Sequence, residues 1–175
     1  MYLTMKRSYF TSKDITIIVV SAAFWSVLNV TLAPLFWSLT RLPFFCDMLA
    51  IISLFLSAWW TKRLGAATLT GIIATLLNFV FRPEAVHFLG FTIASFIFDL
   101  LSRGVGYERC FSRGGILATI IAVLSTWIAG FIIGMFFLAK ADLIVFPLLH
   151  ATGGLIGALL GLAIIRGLES RGITP

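Results

Sequence analysis

Long apolar runs alternate with short polar interruptions along the chain, and the interruptions fall where charge, proline or glycine cluster. Runs of this kind, each about 20 residues long, predict membrane-spanning helices. Six are delimited, at about 15–38, 43–61, 64–81, 85–102, 114–138 and 143–165. The pattern predicts an all-α integral membrane protein, a single domain over residues 1–175 folded as a six-transmembrane helical bundle. A β-barrel would need ~10-residue segments of alternating polarity, and the stretch from Ile51 to Trp60 shows no such alternation. The first run follows a basic segment containing Lys6, Arg7 and Lys13, as a secretory signal would. It is longer than a signal and no A-x-A-like site follows, so it is expected to stay as an uncleaved anchor.

The placement of positive charge tests this model. Lys6, Arg7, Lys13, Lys62, Arg63, Arg103, Arg109, Arg113, Arg166 and Arg171 fall in one set of alternate loops, and Arg41, Arg82 and Lys140 in the other. Basic residues are retained on the cytoplasmic side, so a ten-to-three division predicts both termini in the cytoplasm. Trp37 at the outer end of the first span, with Trp59 and Trp60 at the inner end of the second, fits an interfacial aromatic belt. The 175 residues are 60% apolar and 11% charged, with a mean hydropathy of +1.07, which excludes a soluble globule. The net charge of +6 is thereby explained by topology rather than by nucleic-acid binding. Cys46 and Cys110 fall at opposite faces in this model and are expected to stay unpaired.

Small and polar residues mark the helix faces that look inward. Gly153, Gly157 and Gly161 recur at intervals of four, with Gly154 and Ala158 beside them and His150 on the same face. His150 is therefore expected to face protein, either as a packing histidine hydrogen-bonded to a neighbour or as a ligand contact. Gly71, Thr75, Asn78 and Arg82 share a face of the third span, and Ala22, Ser26, Asn29 and Ala33 a face of the first, before Pro34 kinks or weakens it. Gly130 and Gly134 add a further small pair in the fifth.

Intramembrane polar groups tend to mark cavities, pathways or structural pairs. Asn29, Arg41, Asp47, Asn78, Arg82, Glu84, His87, Lys140, Asp142 and His150 fall in the outer half or its margin, along with Trp25, Phe36 and Trp37. Asn29, Trp37, Asn78, Glu84, His87 and His150 are the candidate substrate-binding residues of a small pocket open to the outside. Asp99 lies in the inner part of the fourth span, four residues before Arg103, a spacing that fits an ion pair along the helix; the alternative is a proton-relay carboxylate. The fourth loop, residues 102–115, is the longest polar interruption and a candidate docking surface.

No phosphate-cradling G-x-x-x-x-G-K-[ST] loop is present, so any ATP-driven work needs another polypeptide. Neither H-E-x-x-H nor G-x-S-x-G occurs, and the carboxylates are scattered. The expectation is a non-enzyme with no catalytic residues, metal or cofactor.

The whole chain resembles the S-components, the small substrate-binding membrane subunits of energy-coupling factor (ECF) vitamin transporters. The resemblance lies in size, span number, orientation and three segments: Asp14 to Asn29 (DITIIVVSAAFWSVLN), Lys62 to Asn78 (KRLGAATLTGIIATLLN) and His150 to Gly172 (HATGGLIGALLGLAIIRGLESRG). It implies a micronutrient bound near the outer surface of a prokaryotic plasma membrane protein that depends on a transmembrane T-component and paired ATPases. It also implies that a small-residue face of the first helix docks on the T-component. The family's alanine pair falls on Ala22 and Ser26, the second replaced by serine. Trp59, Trp60, Lys62, Arg63, Gly65 and Ala66 look most similar to the type that takes up hydroxymethylpyrimidine or thiamine. Glu84, Asp47, Trp25, Phe36 and Trp37 would suit a cationic or heteroaromatic ligand. Two other readings fit the same residues: an autonomous secondary transporter or channel with Asp99 as coupling group, and a structural subunit packed through its glycines.

Overall fold

The computed structural model describes residues 9–138 and 142–175. Lys6, Arg7 and Lys140 lie outside the described residues. The elements are α1 (Ser12–Thr31), α2 (Ala33–Thr40), α3 (Phe44–Thr61), α4 (Ala66–Phe81), α5 (Phe88–Val105), α6 (Tyr107–Phe111), a 3-10 turn (Arg113–Gly115), α7 (Ile116–Phe136) and α8 (Val145–Ser170). All are helical, as the pattern of apolar runs predicts. Helices α1, α3, α5, α7 and α8 are long and apolar enough to cross a membrane, and α4, at 16 residues, is the shorter member of the bundle.

The boundaries follow from local chemistry. Thr11 caps α1 reciprocally with Asp14: its hydroxyl accepts from the Asp14 N–H at 3.2 Å and its own N–H donates to the Asp14 carboxylate at 2.8 Å. The first apolar run is not one continuous helix. Pro34 lacks an N–H for the Val30 carbonyl and its ring crowds that turn, so the run divides at Leu32 into α1 and α2. Asp142 accepts from the N–H groups of Ile144 and Val145 at 2.8 and 3.0 Å, which ties down the start of α8 and holds its carboxyl below the usual range.

Helices α3, α8, α7, α5 and α4 pack in sequence into a ring that closes between α4 and α3, and α1 lies against α3 and α4. The outside is apolar, with Val20, Val27, Leu76, Val80, Phe96, Leu100, Ile120, Leu148 and Leu159 exposed. Serine, threonine and asparagine side chains are buried instead, among them Ser21, Ser53, Ser57, Thr70, Ser95, Ser125 and Thr126. Several satisfy themselves on the carbonyl one turn back: Ser53 on Leu49, Thr70 on Ala66, Ser95 on Phe91, Thr126 on Ala122. A polar inside and an apolar outside suit hydrocarbon solvent, where association relies on close packing and interhelical hydrogen bonds. The glycines of α8 allow that closeness. Gly153 and Gly157 lie against backbone of Phe44 and Met48 on α3, Gly161 against the Phe55 ring, and Gly154 against Thr126 of α7.

One end of the bundle gathers the start of α1, the α3–α4 turn, α6, the start of α7 and the end of α8, together with Lys13, Lys62, Arg63, Arg103, Arg109, Arg166 and Arg171. Its interior is filled by a cluster that includes Ile51, Leu54, Phe55, Ala58, Trp59, Phe98, Tyr107 and Leu162. Trp59 belongs to this core rather than to a lipid-facing belt: it is buried and its indole N–H donates to Glu169 at 3.2 Å. Cys110 is buried here and Cys46 is at the other end, and both are free.

The expected Asp99–Arg103 pair does not form. Asp99 is fully buried and turns toward α4, where its Oδ2 accepts from the N–H of Gly65, the N–H of Thr68 and the Thr68 hydroxyl at 2.8, 3.0 and 2.9 Å. Tyr107 donates to its other oxygen at 2.5 Å, and burial with this bond pushes the phenol pKa up. Gly65 precedes α4 with φ +97° and has no side chain to satisfy the orphan donors of the first turn. The carboxylate of a neighbouring helix does so in its place. Asp99→Ala is expected to cost about 1–3 kcal/mol by leaving buried donors unpaired. Arg103→Ala should stay within about 0.5 kcal/mol of wild type; thermal unfolding in one detergent compares the two.

Candidate functional site

A cavity of about 290 Å³ opens at the end of the bundle opposite the basic cluster. Its wall is drawn from the end of α1 (Asn29), α2 (Ala33, Pro34, Trp37), the start of α3 (Pro43, Cys46), the α4–α5 turn (Arg82, His87), the start of α5 (Phe88, Phe91), α7 and its exit (Ile133, Leu138) and α8 (Phe146, His150). The Pro34 break matters here, because it sets α2 off as a separate helix whose Ala33, Pro34 and Trp37 line the opening.

Asn29 is held by a directional chain of hydrogen bonds. Ser26 donates to the carbonyls of Ala22 and Ala74 at 2.8 and 3.1 Å. Asn78 donates through Nδ2 to the Ala74 carbonyl at 2.8 Å and to Ser26 Oγ at 3.4 Å. Its Oδ1 is thus left to accept from Asn29 Nδ2 at 3.0 Å. The order fixes the Asn29 amide, whose Oδ1 is buried without a partner.

His150 supplies the second polar anchor. Both oxygens of Asp47 lie within 2.9 Å of its Nδ1, with the hydrogen bond at Oδ1. The pair is closed off, at 0% side-chain exposure for Asp47 and 3% for His150. Phe146 meets the imidazole edge-on at 4.6 Å between centroids and Phe91 lies 5.9 Å away, while Gly130 leaves room for the ring on α7. His150 Nε2 is buried and unpartnered. Unpaired polar atoms are rare in interiors because each forfeits about 1–3 kcal/mol. The described residues with such atoms are Trp25 (Nε1), Asn29 (Oδ1), Asp47 (Oδ2), Ser102 and Ser125 (Oγ) and His150 (Nε2), and of these Asn29 and His150 line the cavity.

The residues expected from the sequence divide into three groups. Asn29, Trp37, His87 and His150 line the cavity together. Trp37 stands at its rim, 44% exposed, and the His87 ring lies against Phe88 at 4.6 Å. Asn78 stands behind the wall and acts through Asn29. Glu84 points outward, its side chain 72% exposed and 3.5 Å from Arg82 Nε, so it is Arg82 that reaches the cavity. Phe36 packs on Phe44 and Phe45, and Trp25 is fully buried edge-on against Phe91.

Ala22 and Ser26, the expected docking pair, are both fully buried, and Ser26 bonds to α4. Their small size serves the approach of α1 to the bundle; the outward face of α1 carries Ile15, Val19, Val20, Phe24 and Val27. Asp47 as the partner of His150, and the apolar wall of Phe88, Phe91, Ile133 and Phe146, go beyond the sequence-predicted set. The signal for Asp47 was present, an acid at the outer end of the helix that the α8 glycines approach, but its partner is 103 residues away in the chain.

Comparison with family models, with curated proteins and with solved structures gives no match.

Proposed function

We propose that this chain is the substrate-binding membrane subunit of an ECF-type micronutrient importer. In this proposal six helices span the membrane, both termini are cytoplasmic, and the cavity opens outward. The uneven distribution of basic side chains between the two ends supports that orientation. The observation that carries the binding role is the blind cavity with two unpartnered anchors, Asn29 Oδ1 and His150 Nε2. The packed cluster around Phe55, Phe98 and Trp59 closes the bundle below it, which favours a protein that binds over one that conducts. The ligand would be a vitamin or precursor of the hydroxymethylpyrimidine or thiamine type, and the T-component with its ATPases would supply the energy.

Trp37→Ala is expected to weaken ligand binding about tenfold or more, as loss of about 1.4 kcal/mol of aromatic contact would, with little change in stability because the side chain is half exposed. Titration of ligand-induced thermal shifts in both proteins measures this. The proposal itself is tested in liposomes: the purified chain alone should retain a radiolabelled vitamin by binding only, without accumulation under an ion gradient. Gradient-driven accumulation that is lost in Asp99→Asn would establish the autonomous transporter instead.

A further inference from the structure

The basic end of the bundle holds a second, larger cavity of about 540 Å³, between the start of α1 and the turn that joins α3 to α4. Its wall brings together Lys13 of α1, Lys62 and Arg63 of the turn, and Trp60 from the last turn of α3. The convergence has a local cause. Lys62 ends α3 in the left-handed conformation, φ +49°, and the chain turns there, which sets Arg63 against the first turn of α1. The Arg63 Nε is 3.9 Å from Asp14 Oδ2, and its guanidinium lies 5.8 Å from the centre of the Tyr9 ring.

The charges do not cancel. Among the described residues Asp14 is the one side-chain carboxylate in the wall, and it already accepts from the Thr11 N–H at 2.8 Å. Glu108 reaches Lys62 at 3.4 Å, but it stands outside the wall with its side chain 83% exposed, and exposed pairs of this kind hold weakly. Lys13 has no ion-pair partner among the described residues. Three cations thus face one carboxylate, and the balance stays positive with a terminal carboxylate counted at Pro175, which also lines the cavity.

Depth decides which anion fits. The cavity lies where α1 begins and α3 ends, the level at which a spanning helix leaves the hydrocarbon, and the half-buried Trp60 is of the kind that sits among headgroups. Inward along α1 and α4, which pack on each other, Ile15, Val19, Leu69 and Ile72 are exposed. An occupant with a negative head and apolar tails matches both features. A zwitterionic headgroup would bring its own ammonium ion among the three cations, whereas an anionic phospholipid does not.

We propose that this cavity binds the phosphate headgroup of an anionic phospholipid through Lys13, Lys62 and Arg63. In the proposed orientation the lipid comes from the cytoplasmic leaflet. The site is at the far end of the bundle from the ligand cavity and does not depend on the binding role proposed there.

Thermal unfolding of the full chain in detergent, titrated with phosphatidylglycerol, phosphatidylcholine or inorganic phosphate, tests it. Phosphatidylglycerol should raise the unfolding temperature of wild type, and the other two should not. Lys13→Gln with Lys62→Gln should need about tenfold more of this lipid for the same shift. Arg103→Gln with Arg109→Gln removes equal charge from the same end outside the cavity and should respond as wild type does, as should Lys13→Arg with Lys62→Arg. An equal response in all four proteins would mean diffuse attraction without a site. That result, no response in wild type, an equal response to phosphatidylcholine, or an equal response to inorganic phosphate overturns the proposal.

Discussion

Asp47→Ala is expected to lower the stability of the detergent-purified protein by about 3–5 kcal/mol, the range found when one member of a buried, hydrogen-bonded pair is removed. The physical reason is specific to the site. Asp47 is fully enclosed and its carboxylate is the partner of His150 Nδ1, so its loss leaves an imidazole with both nitrogens buried and unpaired. The same pair joins α3 to α8, which pack closely along their length. Asp47→Asn keeps a polar partner for Nδ1, its amide able to accept or donate, and should recover more than half of the loss. Ligand binding should fall further than stability in both variants, because Nε2 is oriented through the Nδ1 contact. Thermal unfolding with and without ligand separates the effects. Equal stability of wild type and Asp47→Ala would mean that the two side chains do not meet.

The second large effect concerns the α3–α8 seam. A Cβ at Gly153 would come within 2.5–2.7 Å of the carbonyl oxygen, Cα and Cβ of Phe44, and one at Gly157 within 2.7–2.8 Å of the carbonyl oxygen and Cα of Met48. Most of these atoms are backbone, so the helices themselves must separate, and overpacking of this kind costs about 1–3 kcal/mol per site. Gly153→Ala with Gly157→Ala should therefore be strongly destabilising and also widen the cavity end, since His150 lies on the same helix. Gly104 and Gly167 supply the contrast: a Cβ there meets nothing, and alanine should stabilise each helix by about 0.5–1 kcal/mol. If Gly153→Ala behaves like Gly104→Ala, the close crossing is absent.

What was legible in the sequence is what depends on near neighbours in the chain. Apolar runs and their interruptions gave helix positions, and the four-residue glycine spacing identified the face of α8 that meets α3. Pro34 announced the break in the first run, although its consequence, a separate α2 over the cavity mouth, depends on where the chain goes next. The polar residues near the outer end were recognised as a group because their depth follows from the orientation. Their roles were not, because partnership is set by packing. Asn29 and Asn78 are alike in composition, but one lines the cavity and the other fixes it. Asp99 illustrates the same limit: Arg103 is near in sequence, yet a burden of unsatisfied N–H groups at the start of α4 draws the carboxylate across the interface. Ala22 and Ser26 have the composition of a docking face and lie inside the bundle, because small residues allow helices to approach each other whether the neighbour belongs to the same chain or to another.

The cavity as a ligand site is the claim on which the rest depends, and retention of a small molecule tests it most directly. Purified wild type and Ala33→Phe, which places a ring into the cavity from the start of α2, would be equilibrated with a mixture of vitamins and precursors, freed of unbound compounds, denatured, and assayed by mass spectrometry. The expected result is one compound retained at close to one per chain by wild type and strongly depleted in Ala33→Phe. Retention of nothing by wild type, or of the same compound equally by both proteins, would contradict it.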